Sequence, residues 1–253
     1  MAIIDDLLVE VTGAAAEARL VDICIGAYWS VVGVEVGGQL QAGISSTLHG
    51  GDNDQHHGGQ LPVRASGHLH EQTVTELLAL MRSDSLLEAS VGIATLNALL
   101  EVHPEECVEI NAADVLVEQG RGRRVAIVGH FPFVRRVQQA AAECWVLELD
   151  PHGVDLPASR SPEILPQADV IALTGTSLLN HTFDELIALC RPEAYVVLLG
   201  GTTPLSPVFF RYGVDAVAGT RIVDAGAALT AISQGATFKQ IGGKLLLTLF
   251  RNK

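Results

Sequence analysis

From residue 125 onward the chain alternates short apolar runs ending in glycine with stretches of helical spacing. VAIVG (125–129), DVIALTG (169–175), YVVLLGG (195–201) and VDAVAG (214–219) are apolar almost throughout and short enough to be strands. FVRRVQQAAAE (133–143), FDELIALC (183–190) and AGAALTAISQG (225–235) have the spacing of helices, and WVLELD (145–150) supplies a further strand. A strand that is apolar on both faces needs cover on both faces, and a helix between strands lets them run parallel. The pattern predicts a Rossmann-like three-layer α/β/α domain with a mainly parallel sheet. KLLLTLF (244–250) is expected at an edge of that sheet.

The first hundred residues follow another rhythm. IDDLLVEVTGAAAEA (4–18) has helical spacing, with Asp5 and Asp6 in a first turn where they complement the helix dipole. LVDICIG (20–26) and YWSVVGVEVGGQLQAGI (28–44) alternate as strands around Gly37-Gly38, a hairpin signal. Two helices follow, EQTVTELLALMRS (71–83) and LLEASVGIATLNALLEV (86–102), the second stopped near Pro104 and apolar nearly all round. Its polar exception is Asn97. An α+β domain over 1–110 followed by the Rossmann-like domain over 111–253 is the expected organisation.

The balance of charge narrows the partners. Twenty-nine acidic residues against sixteen basic ones give a net charge of −13, which disfavours nucleic acid and anionic membrane surfaces. Only Lys239, Lys244 and Lys253 are lysines, so a Schiff base is an improbable centre of chemistry. Cys24, Cys107, Cys144 and Cys190 are scattered among apolar residues and read as buried free thiols. The opening MAIIDDLLVE lacks the basic start of a signal peptide, and no apolar run is long enough for a membrane span. A cytoplasmic protein with a small-molecule or metal ligand is expected, as a monomer or a homodimer.

Ligands of open parallel sheets bind beyond the carboxyl ends of the strands, where strand order reverses. Those ends are GHFP (129–132), ELDPHG (148–153), TGTSLLNH (174–181), GGTTPLSP (200–207) and AGTR (218–221). Glu148 and Asp150 follow Gly129 at the distance of a ribose-binding carboxylate, although Asp150 could equally cap the next helix. Thr174, Gly175 and Thr176 suit a small polar ligand or an adenosine ribose, or else a plain turn, and Asn180 and His181 serve either reading. Gly129 alone remains of G-x-G-x-x-G, and Pro132 removes a backbone donor that a diphosphate would use. An S-adenosylmethionine-like ligand therefore fits better than NAD. Acid–base candidates are Glu148, Asp150 and His130.

Five of the nine histidines lie between 49 and 70, in LHGGDNDQHHGGQLPVRASGHLH. His49, His56, His57, His68 and His70, with Asp52 and Asp54, offer imidazole and carboxylate to zinc, nickel, iron or copper. Were the segment extended, His68 and His70 would share a face and could reach one ion. A solvated loop is the other reading, since no fixed metal motif is present.

AYWSVVGVEV (27–36), ASVGIATLNALL (89–100), VAIVGHFPFV (125–134), DVIALTGTSLLNHTFDELIALC (169–190) and GGTTPLSPVFFRYGVDAVAGTRIVD (200–224) together resemble a prokaryotic family named for heavy-metal chelation. The resemblance spans nearly the whole chain. It implies an enolase-N-terminal-like domain fused to a Rossmann-like one, with a ligand pocket at the interface of the two domains. Gly129, the loop 174–180 and Gly200, Gly201, Thr202 and Thr203 would form one wall, and Tyr28, Trp29 and Asn97 the other. The implied role is binding of a transition metal or a metal-chelating small molecule. The alternative is an enzyme acting on a pterin-, flavin- or siderophore-like chelator precursor, with a methyltransferase-like Rossmann domain.

Overall fold

The computed structural model describes residues 2–49 and 61–251. The elements in chain order are α1 (Ala2–Glu17), β1 (Arg19–Ile25), β2 (Trp29–Val36), β3 (Gln39–Ser46), α2 (Val74–Ala79), α3 (Leu86–Leu99), β4 (Cys107–Val108), α4 (Ala112–Gly120), β5 (Arg124–Val128), α5 (Val134–Ala140), β6 (Glu143–Glu148), β7 (Leu156–Pro157), α6 (Ser161–Ile164), β8 (Val170–Thr174), α7 (Phe183–Ala188), β9 (Tyr195–Leu199), β10 (Ala216–Ile222), α8 (Ala225–Ser233) and β11 (Lys244–Phe250). They form a small antiparallel sheet and a large, mainly parallel sheet flanked by helices, the fold class the sequence predicts.

Two compact units result. One is Met1–Val102 with Leu178–Asn180 and Thr220–Leu245, and the other is His103–Ser177 with His181–Gly219 and Leu246–Lys253. The first unit is built on the meander β1-β2-β3. Gly37 and Gly38 take positive φ (57° and 78°) in the tight turn between β2 and β3, which L side chains disfavour. Residues alternate across this sheet, so Ala42 and Ile44 face one way and Gly43 and Ser45 the other. α3 lies on the Gly43 side so closely that a Cβ there would stand 2.2 Å from the Ala94 carbonyl oxygen. Asn97 donates its side-chain amide to the Ile44 carbonyl at 2.8 Å, and Ser90 its hydroxyl to Ser46 at 2.9 Å.

The opposite face is covered by α8. Ala228, Ile232, Ala236 and Ile241 join Val31, Ala42 and Ile44 in one buried cluster. AGAALTAISQG reads as one more helix of the parallel-sheet half, and the structure instead places it on the antiparallel sheet. Nothing in its own spacing distinguishes the two destinations.

The second unit carries the larger sheet, in the order β4-β11-β10-β9-β8-β5-β6-β7. β5 runs parallel to both β6 and β8, and β9 runs parallel to β8 and β10. Val125 and Ile127 of β5, Val170 and Ala172 of β8 and Val197 of β9 pack with Val115 and Leu116 of α4 and Val134 and Val137 of α5. KLLLTLF is not the edge strand, because the two-residue β4 pairs outside it, Thr248 with Val108 and Leu249 with Cys107. AGTR is not a loop either, since it lies inside β10.

The chain passes from β5 outward to β6 and β7, then returns to the other side of β5 for β8, β9 and β10. Strand order therefore reverses between β5 and β8, and the carboxyl ends of those two strands carry Gly129 and Thr174.

Candidate functional site

β5 leads into Gly129, whose φ of 101° belongs to a conformation that favours glycine. A Cβ there would stand 3.1 Å from Cβ of Thr174, so the two strand ends touch at the switch point. The Thr174 and Thr176 hydroxyls lie 2.9 Å apart, and the Ser177 hydroxyl donates to the Thr174 carbonyl at 2.7 Å. Gly175 packs on Thr203, where a Cβ would meet Oγ1 at 2.3 Å. Gly200, at φ 128°, donates its N–H to the Ala218 carbonyl at 3.1 Å, and Thr203 donates its own to Gly200 at 3.0 Å. Thr202 and Thr203 are each only 1% exposed, and Thr203 Oγ1 has no hydrogen-bond partner among the described residues. Gly201 lies in the same turn.

The residues after Gly129 answer what replaces a phosphate loop. The backbone N–H of His130, which a phosphate would use, donates to Glu148 Oε1 at 2.7 Å. The other Glu148 oxygen accepts the N–H of Leu149 at 2.9 Å. A carboxylate of the chain itself thus takes up this backbone donor. Phe131 and Phe133 stack with centroids 5.0 Å apart and pack against the core of the sheet. The His130 ring turns to Asp155, with Nδ1 2.9 Å from Oδ2. The Asp155 side chain is 4% exposed and that of His130 is 55% exposed. Asp155 is absent from the reading of the sequence, because no spacing links GHFP to the turn that buries this carboxylate.

Asp150 caps no helix: β6 leads through a loop to β7, and the Asp150 side chain is 94% exposed, 4.0 Å from His152. Asn180 groups with the first unit, while His181 has a φ of 60°, uncommon for a residue with a side chain. In the first unit Tyr28 is exposed, Trp29 packs on Phe238 at 5.0 Å, and Asn97 spends its amide donor on the β3 backbone.

His56, His57, Asp52 and Asp54 lie outside the described residues. His68 and His70 are not on an extended segment, because Leu69–Glu71 forms a single 3-10 turn. They point to different carboxylates, His68 to Glu71 at 3.0 Å and His70 to Asp22 at 3.3 Å. His49 is exposed. No group of three or more His, Cys, Asp or Glu among the described residues could hold a metal ion. Burial pushes the thiols of Cys144 and Cys190 up to about 11 and about 12, so neither supplies a thiolate at neutral pH.

Residues 111–251, more than half of the chain, match the model of a family described as "Putative heavy-metal chelation" (DUF364). The chain belongs to that family. Residues 9–100 match a second family model of the same description (DUF4213). A DUF364 protein of unknown function from Pyrococcus horikoshii has the same fold, with a TM-score of 0.84 at 20% identity, over 98% of this chain and 100% of the other. A second, from Desulfitobacterium hafniense, gives a TM-score of 0.78 at 22% identity, over 99% and 98% of the two chains. An uncharacterized protein of Methanocaldococcus jannaschii is 25% identical over 219 residues, which is 83% of this chain and 82% of that one. No helix among the described residues is long and apolar enough to cross a membrane.

Proposed function

We propose that this DUF364 protein binds a phosphate-free small molecule that carries positive charge, above all a transition metal already held by an organic chelator. Its site is the switch point of the larger sheet, beside Gly129, His130 and Thr174 to Thr176. The observation that carries the reading is the Glu148 carboxylate on the His130 N–H. It meets a backbone donor of a nucleotide-binding turn with negative charge, which repels a diphosphate and attracts a cation. The Thr174 and Thr176 hydroxyls offer neutral hydrogen bonds at the end of β8. The family description points to heavy metals. The donors of the described residues do not suit a bare ion, and a chelated one brings most of its own ligands.

Titration calorimetry on a His56→Ala/His57→Ala chain, which removes the adjacent histidines of the glycine-rich segment, tests this. The probes are the zinc–bipyridine chelate, S-adenosylmethionine and NAD. The chelate should bind near one to one and lose about tenfold in affinity, roughly 1.4 kcal/mol, on Glu148→Gln. NAD binding that is tighter than that of the chelate and unaffected by Glu148→Gln would overturn the reading.

A further inference from the structure

We infer that His130 and Asp155 form an acid–base dyad, which gives the site a proton-transfer activity on its bound small molecule. The inference rests on the ligand site proposed above and assigns it a chemistry. His130 is the first residue beyond Gly129, and both its backbone and its ring are fixed. The N–H is held by Glu148 at 2.7 Å and Nδ1 by Asp155 at 2.9 Å. An ionised carboxylate can only accept, so the proton between ring and carboxylate belongs to Nδ1. That leaves Nε2 with a lone pair, on a side chain that is 55% exposed.

An ordinary surface pair does not require this arrangement. Exposed ion pairs contribute little, and both partners stay wet. Here the Asp155 side chain is 4% exposed while its partner faces solvent. The Asp155 N–H donates to the His152 carbonyl at 3.1 Å, which closes the turn that carries this carboxylate. A buried carboxylate behind an exposed imidazole is the arrangement that fixes a tautomer and stabilises an imidazolium. The His130 backbone is one residue from the Gly129–Thr174 contact, and its ring turns toward the turn that precedes β7.

The step is a simple one. Nε2 accepts the proton of an O–H, N–H or activated C–H group of the bound molecule, leaving the electron pair on that atom. The resulting imidazolium is paired to Asp155 and later returns the proton to product or water. No oxidant or co-reactant is consumed. The substrate class is a cationic proton acid without a phosphate group. His130 is the base, and Asp155 is a positioning residue.

Nitrogen-15 NMR of the imidazole rings, with His130→Gln to assign the signals, reads the tautomer directly. The expected wild-type ring carries its proton on Nδ1. In Asp155→Asn the amide NH2 can donate to Nδ1, so the proton should move to Nε2 and the majority tautomer should reverse. Reaction of Nε2 with diethyl pyrocarbonate should slow about tenfold in that variant. A wild-type ring protonated on Nε2, or a tautomer indifferent to Asp155→Asn, overturns the dyad. Should Asp155→Asn fail to fold, the wild-type tautomer alone decides. Chelate binding measured on the same samples separates the two readings: retained binding with the wrong tautomer sinks only the dyad, and lost binding with the right tautomer sinks the ligand site and with it the activity assigned to that site.

Discussion

At the scale of single residues, the site is shaped by contacts that spacing does not announce. TGT reads as a flexible, hydroxyl-bearing turn, yet Gly175 is required by Thr203, which lies on the loop after the next strand. A Cβ at Gly175 would fall 2.3 Å from Thr203 Oγ1 and 2.8 Å from the Thr203 backbone nitrogen. Overpacking of this kind costs about 1–3 kcal/mol, and Gly175→Ala should lower stability by that amount in urea unfolding. Gly175→Ala/Thr203→Ala removes the hydroxyl but leaves the backbone clash, so it should recover only part of the loss. Full recovery would show that the oxygen alone sets the constraint. His130 was legible as a candidate base because it stands where a phosphate loop should be. Asp155 was not, because its role depends on a turn that only the folded chain closes.

At the scale of elements, α3 shows how a helix ties down a segment that has no regular structure. Ser85 caps it, accepting the Glu88 N–H at 3.4 Å, and Glu88 is 2% exposed in its first turn. The Glu88 carboxylate accepts the backbone N–H of Arg64 at 2.7 Å, its Nη2 at 2.6 Å and the Ser83 hydroxyl at 2.6 Å. Burial alone would raise the Glu88 carboxyl, but the bonds from Arg64 and Ser83 outweigh it and hold it below its ordinary value. A depressed carboxyl contributes stability that is fully present above its unfolded value of about 4.3 and is lost as pH falls through the folded value. Glu88→Gln should therefore cost about 1.5–3 kcal/mol near neutral pH and remove part of the acid-side decline in a pH series of melts. An unchanged acid limb would place that decline elsewhere, for instance at Asp169. That carboxyl is pulled well down by hydrogen bonds from Arg124, with a further one from Arg191. The helix itself was plain in LLEASVGIATLNALLEV. Its buried acid was not, since Glu88 sits at a capping position, and its partner Arg64 lies in a stretch without periodicity. For the same reason the spacing of His68 and His70 does not announce the turn that Leu69–Glu71 forms.

At the scale of the whole chain, sequence halves and structural units do not coincide, and this can be tested. A change of rhythm near residue 120 marks where the parallel-sheet strands begin, and the two family models part shortly before it, over 9–100 and 111–251. The first unit nevertheless includes Thr220–Leu245. Without that segment the Val31, Ala42 and Ile44 face of the antiparallel sheet loses Ala228, Ile232, Ala236 and Ile241, all less than 10% exposed. A bare apolar sheet face on a short domain leaves little to offset the entropy of folding, and invites association. Expressed alone, residues 1–110 should be unfolded or aggregated by circular dichroism and light scattering. The same residues joined by a flexible linker to 220–245 should fold cooperatively, because the covering helix is restored to the apolar face. Ile232→Asp in the joined chain should abolish that rescue by putting a charge into the buried cluster. If residues 1–110 melted cooperatively as a monomer without the segment, α8 would be an accessory to the first unit rather than part of its core.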